Sequence, residues 1–117
     1  MALDIEKIAF TVILHAGNAK AEAYKALGEA KKGNFEDVNL FMKNAKDQLN
    51  EVHSVQTDLL VAESNGEGLN APIILIHAQD HLMTAMSEIN LIEEFIDFIK
   101  EMKRLEQEVT DIKNNIK

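Results

Sequence analysis

Apolar or small residues recur at steps of three and four along most of the chain, and only two short breaks interrupt the pattern. Before the first break they are Ile5, Ile8, Val12, Ala16, Ala19, Ala23, Ala26 and Ala30. This spacing is that of an α-helix with one buried face, because a half-buried strand would alternate at every second residue. The pattern therefore predicts helices over about residues 4–32, 35–63 and 71–115.

The two breaks contain residues that end and begin helices. Gly33 is suited to the left-handed conformation that terminates a helix, and Asn34 is a candidate cap for the next one. In the second break Asn70 is the expected cap, because the only proline, Pro72, then lies in a first turn where proline is tolerated. Short connectors make successive helices antiparallel. We therefore predict an all-α fold, an antiparallel up-down-up three-helix bundle that forms one domain over residues 1–117.

The third predicted helix is apolar on more than one side. Its early apolar residues are Ile73, Ile74, Leu75, Ile76, Leu82, Met83 and Met86. These residues point in several directions around the helix and need partners on several sides. Large exposed apolar patches are unusual on monomers, so we expect self-association. From residue 103 the chain is more polar, and this end of the third predicted helix is the part most open to fraying.

Charge and composition narrow the possible classes of function. Twenty acidic and twelve basic residues give a net charge of -8, so the phosphate backbone of a nucleic acid would be repelled. The chain has no cysteine, which removes disulfides and cysteine nucleophiles and is typical of a reducing compartment. The sequence has neither a secretory signal pattern nor an apolar run of about 18 residues that could span a bilayer. We predict a cytoplasmic protein without nucleic-acid binding or membrane insertion.

A polar segment interrupts the apolar third helix at residues 77–81. His77, Asp80 and His81 stand at i, i+3 and i+4, so they share one side of the helix, whereas Gln79 points elsewhere. Polar groups in an apolar setting are expected to be hydrogen-bonded, to face a wet cleft or to line a subunit contact. His53, with Gln56 one turn later, is a weaker candidate for the same site. His15, on an alanine-rich stretch, is expected to be structural.

Spacing alone leaves three uses of this polar row open. A structural row would only fix the register of the helices or of a subunit interface. A zinc site could use His77 and His81, but it needs a third ligand, and the His-Glu-x-x-His pattern is absent. The Glu-x-x-His repeats of a di-iron bundle are absent as well. In the third use, neutral His77 accepts a phosphoryl group while His81 or Gln79 orients its ring.

The polar row also carries a resemblance to a known family. Residues 76–84, which read IHAQDHLMT, closely resemble the signature of the IIA component of the lactose/cellobiose (N,N'-diacetylchitobiose) family of the bacterial phosphoenolpyruvate-dependent sugar phosphotransferase system. Residues 17–27 in the first helix and 49–60 in the second are similar to the same family and occur in the same order. The resemblance extends over roughly residues 5–102.

The resemblance implies a specific function for the chain. It implies a homotrimer of three-helix subunits that acts as a cytosolic phosphohistidine carrier and hence as a phosphotransferase component. The histidine that matches His77 accepts a phosphoryl group from phospho-HPr and passes it to a cysteine of the cognate IIB component during uptake of a lactose/cellobiose-type sugar.

The resemblance also assigns parts to the neighbours of His77. The acid that matches Asp80 is turned toward the threefold axis, where three carboxylates share one divalent cation such as Mg²⁺. A cation there is consistent with electrostatics, because three like charges in a confined space repel unless a hard cation binds their oxygens or some of them are protonated. His81 is carried over as a site neighbour, and Gln79 is included as a second one. The alternatives remain a non-catalytic helical interaction module and a zinc-binding bundle.

Overall fold

The computed structural model describes residues 4–66 and 72–116, and those residues form three helices and no strand. Helix α1 spans Ile5–Lys32, α2 spans Phe35–Ser64 and α3 spans Ile73–Ile116. The predicted all-α three-helix fold is confirmed. Helix α3 begins two residues later than the spacing predicted, directly after Pro72. Within the described ranges, no helix is both long enough and apolar enough to cross a membrane.

The turn between α1 and α2 has the geometry expected for a glycine terminator. Gly33 has φ of 87°, and its amide donates to the carbonyl of Ala30 at 3.0 Å. The Asn34 amide donates to the carbonyl of Glu29 at 2.9 Å, which completes the pair of bonds of a Schellman motif. Glycine is therefore favoured at position 33, because residues with a Cβ rarely adopt this left-handed backbone conformation.

The prediction that Asn34 caps α2 with its side chain is wrong. Asn34 occupies the cap position, but its side chain makes no capping hydrogen bond. Its Nδ2 instead donates to Oε2 of Glu29 at 2.8 Å and so links the turn back to α1. This bond lowers the pKa of Glu29, because it favours the charged carboxylate. Asn70, the other predicted cap, lies outside the described residues.

The buried face of α1 consists almost entirely of alanine. Its members are Ala9, Val12, Ala16, Ala19, Ala23, Ala26 and Ala30. Methyl side chains allow helix axes to approach closely, and α1 packs against both α2 and α3. Helix α1 is therefore the central helix of the bundle.

Two buried clusters determine the direction of the helices. The first half of α1 packs with the later part of α2 and the start of α3, in a cluster that contains Val12, Val52 and Leu82. The second half of α1 packs with the start of α2 and the middle of α3, in a cluster that contains Val38 and Ile92. Helices α1 and α3 therefore run parallel and α2 runs antiparallel to both, which is the predicted up-down-up order.

Helix α3 extends beyond the other two helices. Its last buried residue is Ile96, and Lys100 places its Nζ 5.6 Å from the centroid of the Phe35 ring at the end of the bundle. From residue 101 to residue 116 all side chains are exposed except the half-buried Lys103. This segment is helical to Ile116, so α3 continues through the range predicted for it. The protein is consequently elongated, with extents of 74 × 20 × 20 Å.

Candidate functional site

His77 lies on the exposed side of α3, near the start of the helix. On the opposite side, Leu75, Ala78 and Leu82 are buried against α1 and fix the rotation of α3 about its axis. His77 and His81 therefore face outward, and both are exposed in the single chain. A histidine in this position is accessible to a second protein, which a buried core histidine is not.

The rings of His77 and His81 are in direct contact. Their centroids are 4.7 Å apart and their planes are inclined by 82°, which is an edge-to-face arrangement. This contact is the predicted consequence of i and i+4 spacing on a helix. The contact restricts the orientations that the two rings adopt.

Gln79 makes its contact on another side of α3. Its Oε1 accepts a hydrogen bond from Nε2 of Gln56 at 3.0 Å, and this bond joins α3 to α2. The Gln79 carbonyl oxygen is therefore engaged with α2 rather than with His77. Sequence reasoning included Gln79 as a neighbour of the acceptor and missed Gln56 as its partner, because the two residues are 23 positions apart in the chain.

A groove between α2 and α3 lies on the side of α3 that contains Gln79. One cavity in it, about 340 Å³ in volume, is lined by residues that include Gln56, Leu60, Ile76 and Gln79. Leu60 and Ile76 are more than half exposed, so this groove is largely apolar. The only signal in the sequence was the excess of apolar residues on α3, which predicted a missing partner without locating the groove.

The other two histidines have different surroundings. Nδ1 of the half-buried His15 lies 2.6 Å from Oε1 of Gln48, a contact that joins α1 to α2 and gives His15 the structural role predicted for it. His53 is exposed on α2 and lines a second cavity of about 280 Å³ in the groove, together with Gln56 and Met86. His53 therefore belongs to the groove.

Asp80 is exposed on α3 beside the histidine pair. Thr84, one turn later, donates its hydroxyl to the backbone carbonyl of Asp80 at 2.8 Å. At 3.6 residues per turn, Leu91 follows Asp80 by about three turns, so both lie on one face of α3. Among residues 4–66 and 72–116, no three His, Cys, Asp or Glu side chains lie close enough to hold a metal ion.

The chain matches a known family over most of its length. Residues 7–100 match the family described as "PTS system, Lactose/Cellobiose specific IIA subunit". This range contains the polar row and the groove, and it ends where α3 leaves the bundle. The match confirms the resemblance carried by residues 76–84.

Individual proteins agree with the family match. The lichenan-specific phosphotransferase enzyme IIA component of Bacillus subtilis is 34% identical over 99 residues, which are 85% of this chain and 90% of the relative. The crystal structure of the PTS cellobiose-specific enzyme IIA from Bacillus anthracis has a TM-score of 0.83 at 41% identity and covers 89% of this chain and 95% of its own. A chain of the solution structure of the IIA(chitobiose)–HPr complex of Escherichia coli has a TM-score of 0.75 at 35% identity and covers 87% of this chain and 99% of its own. Since sequence and fold agree over the segment that contains His77, this chain belongs to the lactose/cellobiose-specific IIA family, the phosphotransferase components of a sugar uptake system.

Proposed function

We propose that this protein is a cytoplasmic phosphohistidine carrier. His77 accepts a phosphoryl group from phospho-HPr and passes it to a cysteine of the cognate IIB component during uptake of a lactose/cellobiose-type sugar. The observation that carries this proposal is the exposed His77 ring in edge-to-face contact with His81, within the segment that matches the family. The similarity to a chain of the E. coli IIA(chitobiose)–HPr complex supports HPr as the donor.

The chemistry requires an accessible nitrogen more than it requires an enclosed active site. A lone pair on a ring nitrogen of His77 attacks phosphorus, and the bond between phosphorus and its donor atom on HPr breaks as the new P–N bond forms. In the second step a thiolate of IIB attacks and the His77 ring leaves. Both partners are proteins, so the ring must protrude far enough for in-line approach from outside.

His81 is proposed to position the acceptor and to assist the phosphoryl group. Its edge-to-face contact limits rotation of the His77 ring. A ring N–H of His81 is also close enough to His77 to donate to a phosphoryl oxygen on that ring, which would stabilise the charge during transfer. Gln79 contributes indirectly, because its bond to Gln56 fixes α3 against α2 beneath the site.

The surface around His77 is suited to docking of a protein partner. Ile73, Ile76 and Met83 lie on the same two turns of α3 as the histidine pair or one turn before it, and they are between 55% and 84% exposed. Apolar side chains of this kind form the centre of a protein interface. The net charge of -8 would steer a basic partner toward the molecule.

We also propose that the carrier is a homotrimer with one Mg²⁺ ion on its axis. Asp80 and the exposed Leu91 share a face of α3, so the Asp80 carboxylates converge if three copies meet along that face. Three carboxylates offer the hard oxygen donors that Mg²⁺ prefers, with water completing the coordination. The ion would neutralise the repulsion between the carboxylates and so stabilise the assembly.

The proposed metal site predicts a specific effect of Asp80→Asn. Removing three charges removes the need for the ion, so the assembly of the variant should respond little to EDTA, whereas the wild-type assembly should dissociate more easily when Mg²⁺ is removed. Sedimentation velocity with and without EDTA measures this difference, and Asp97→Asn, on another face of α3, is the matched control. An Asp80→Asn protein that responds to EDTA as the wild type does would contradict the site.

Reconstitution tests the carrier function itself. The purified chain, incubated with enzyme I, HPr and labelled phosphoenolpyruvate, should acquire about one acid-labile, base-stable phosphate per chain and lose it when IIB is added. A structural interaction module would acquire none. A zinc-binding bundle would instead contain stoichiometric zinc, which elemental analysis detects. Absence of label under conditions that label a known IIA protein would refute the proposal.

A further inference from the structure

The part of α3 beyond the bundle carries an apolar stripe with no partner from α1 or α2. We call residues 101–116 the α3 stalk; it follows the range that matches the family. Its large apolar residues are all at least half exposed: Met102, Leu105, Val109, Ile112 and Ile116. At 1.5 Å per residue the stalk is about 24 Å long. The turn that joins α1 to α2 lies near Lys100, so neither of these helices runs alongside the stalk.

The spacing of the stripe distinguishes it from an ordinary amphipathic helix. Its members follow one another at alternating steps of three and four residues, which average 3.5. The same alternation continues backward through the exposed residues Phe98, Phe95 and Leu91. Eight consecutive positions with a period of 3.5 are the pattern of a helix that pairs with other helices in a left-handed coiled coil.

We propose that the α3 stalk forms a parallel, in-register coiled coil with the stalks of other copies of this chain. The stripe is continuous with the face of α3 that contains Leu91 and Asp80, so one parallel association buries the whole of it. The number of strands, three, rests on the homotrimer proposed above. The partner is therefore this chain itself.

The charges beside the stripe favour the parallel orientation. If Met102 and Val109 are a positions, Glu101 and Glu108 are g positions, and an antiparallel pair would align these glutamates with those of the other copy. In a parallel pair Glu108 lies opposite Lys113 of the neighbouring copy, which is attractive.

One like-charged pair remains in the parallel arrangement, and the stalk offsets it within each chain. Glu101 would lie opposite Glu106 of the neighbour. Arg104 places its Nη2 2.9 Å from Glu101, and Lys103 places its Nζ 4.0 Å from Glu106. Each carboxylate therefore has a nearby cation, which weakens the repulsion between copies.

Single-cysteine variants test the orientation, because the chain has no cysteine of its own. Leu105→Cys and Ile112→Cys are on the stripe, and Gln107→Cys and Asn114→Cys, on the opposite face, are their matched controls. With a short bis-maleimide, each stripe variant should give covalent dimers in at least about fivefold higher yield than its control. In an antiparallel pair, residue 105 can face residue 105 of the other copy, or residue 112 can face residue 112, but not both. Equal yields at 105 and 107, or cross-linking of only one stripe variant, would overturn the proposal.

A charge variant measures what the stalk contributes to assembly. Leu105→Asp combined with Ile112→Asp should weaken association at least about tenfold in sedimentation equilibrium, whereas Gln107→Asp with Asn114→Asp, which adds the same charge outside the stripe, should change it much less. Unchanged association of the stripe variant would overturn the proposal.

The test separates the stalk from the carrier function. Cross-linking at 105 and 112 without phosphoryl labelling supports the stalk and refutes the carrier. Labelling without selective cross-linking supports the carrier and refutes the stalk.

Discussion

His77→Gln is expected to abolish phosphoryl labelling, with a loss of at least about 100-fold, equivalent to about 2.7 kcal/mol in the free energy of transfer. Glutamine keeps a polar, helix-compatible side chain but has no nucleophilic ring nitrogen. Because His77 is exposed and its neighbours Ala78 and Leu82 form the core, the fold should be unaffected. The measurement is the amount of acid-labile phosphate per chain after reconstitution with enzyme I and HPr.

The other histidines provide the controls for this experiment. His53→Gln, on α2, should retain labelling. His81→Gln should still be labelled on His77 but about tenfold more slowly, because it removes the ring that restrains the acceptor. Mass spectrometry of the labelled peptide distinguishes residues 77 and 81. Full labelling of His77→Gln, or phosphate on His81 in the wild type, would show that the acceptor has been assigned to the wrong residue.

Ala23→Leu is expected to destabilise the bundle by about 3 kcal/mol or more, at the upper end of the range for overpacked cores. Ala23 is fully buried and lies in the same cluster as Met42 of α2 and Ile92 of α3. The larger leucine side chain has no free space at this position, since α1 packs against both α2 and α3. The loss is a large fraction of the about 5–15 kcal/mol that stabilises a typical domain.

Urea unfolding followed by circular dichroism, at one fixed protein concentration, measures this effect. Ala21→Leu is the matched control, because Ala21 is exposed on the same helix and the substitution there should change the free energy of unfolding by about 0.5 kcal/mol or less. If the Ala23 and Ala21 variants unfold at similar urea concentrations, the close packing of α1 against its neighbours is not what limits stability.

The sequence by itself determined the features that depend on local geometry. Apolar spacing of three and four located the three helices, and glycine at position 33 located the first turn, because only a few backbone conformations are open to these patterns. The contact between His77 and His81 was also predictable, since residues at i and i+4 on a helix must be neighbours. The resemblance to the family was recognisable as well, because residues 76–84 are contiguous in the sequence.

Some features near the helix ends were local and were still predicted wrongly. Asn34 appeared to cap α2, but its side chain bonds to Glu29 instead, because the Schellman turn brings the two together. The start of α3 was predicted two residues too early, because the structure begins this helix at Ile73, directly after Pro72.

Only the tertiary structure decided which side chains meet between helices. Spacing predicted that Gln79 points away from His77 but not that it bonds to Gln56 on α2, and it did not predict the pairing of His15 with Gln48 either. The groove between α2 and α3 has the same origin. Such contacts depend on the rotation of each helix about its axis and on its shift along a neighbour, and both are set by how the buried faces interlock. The spacing of residues within one helix contains no measure of either quantity. The sequence therefore placed His77 and His81 together, whereas only the packed bundle paired Gln79 of α3 with Gln56 of α2.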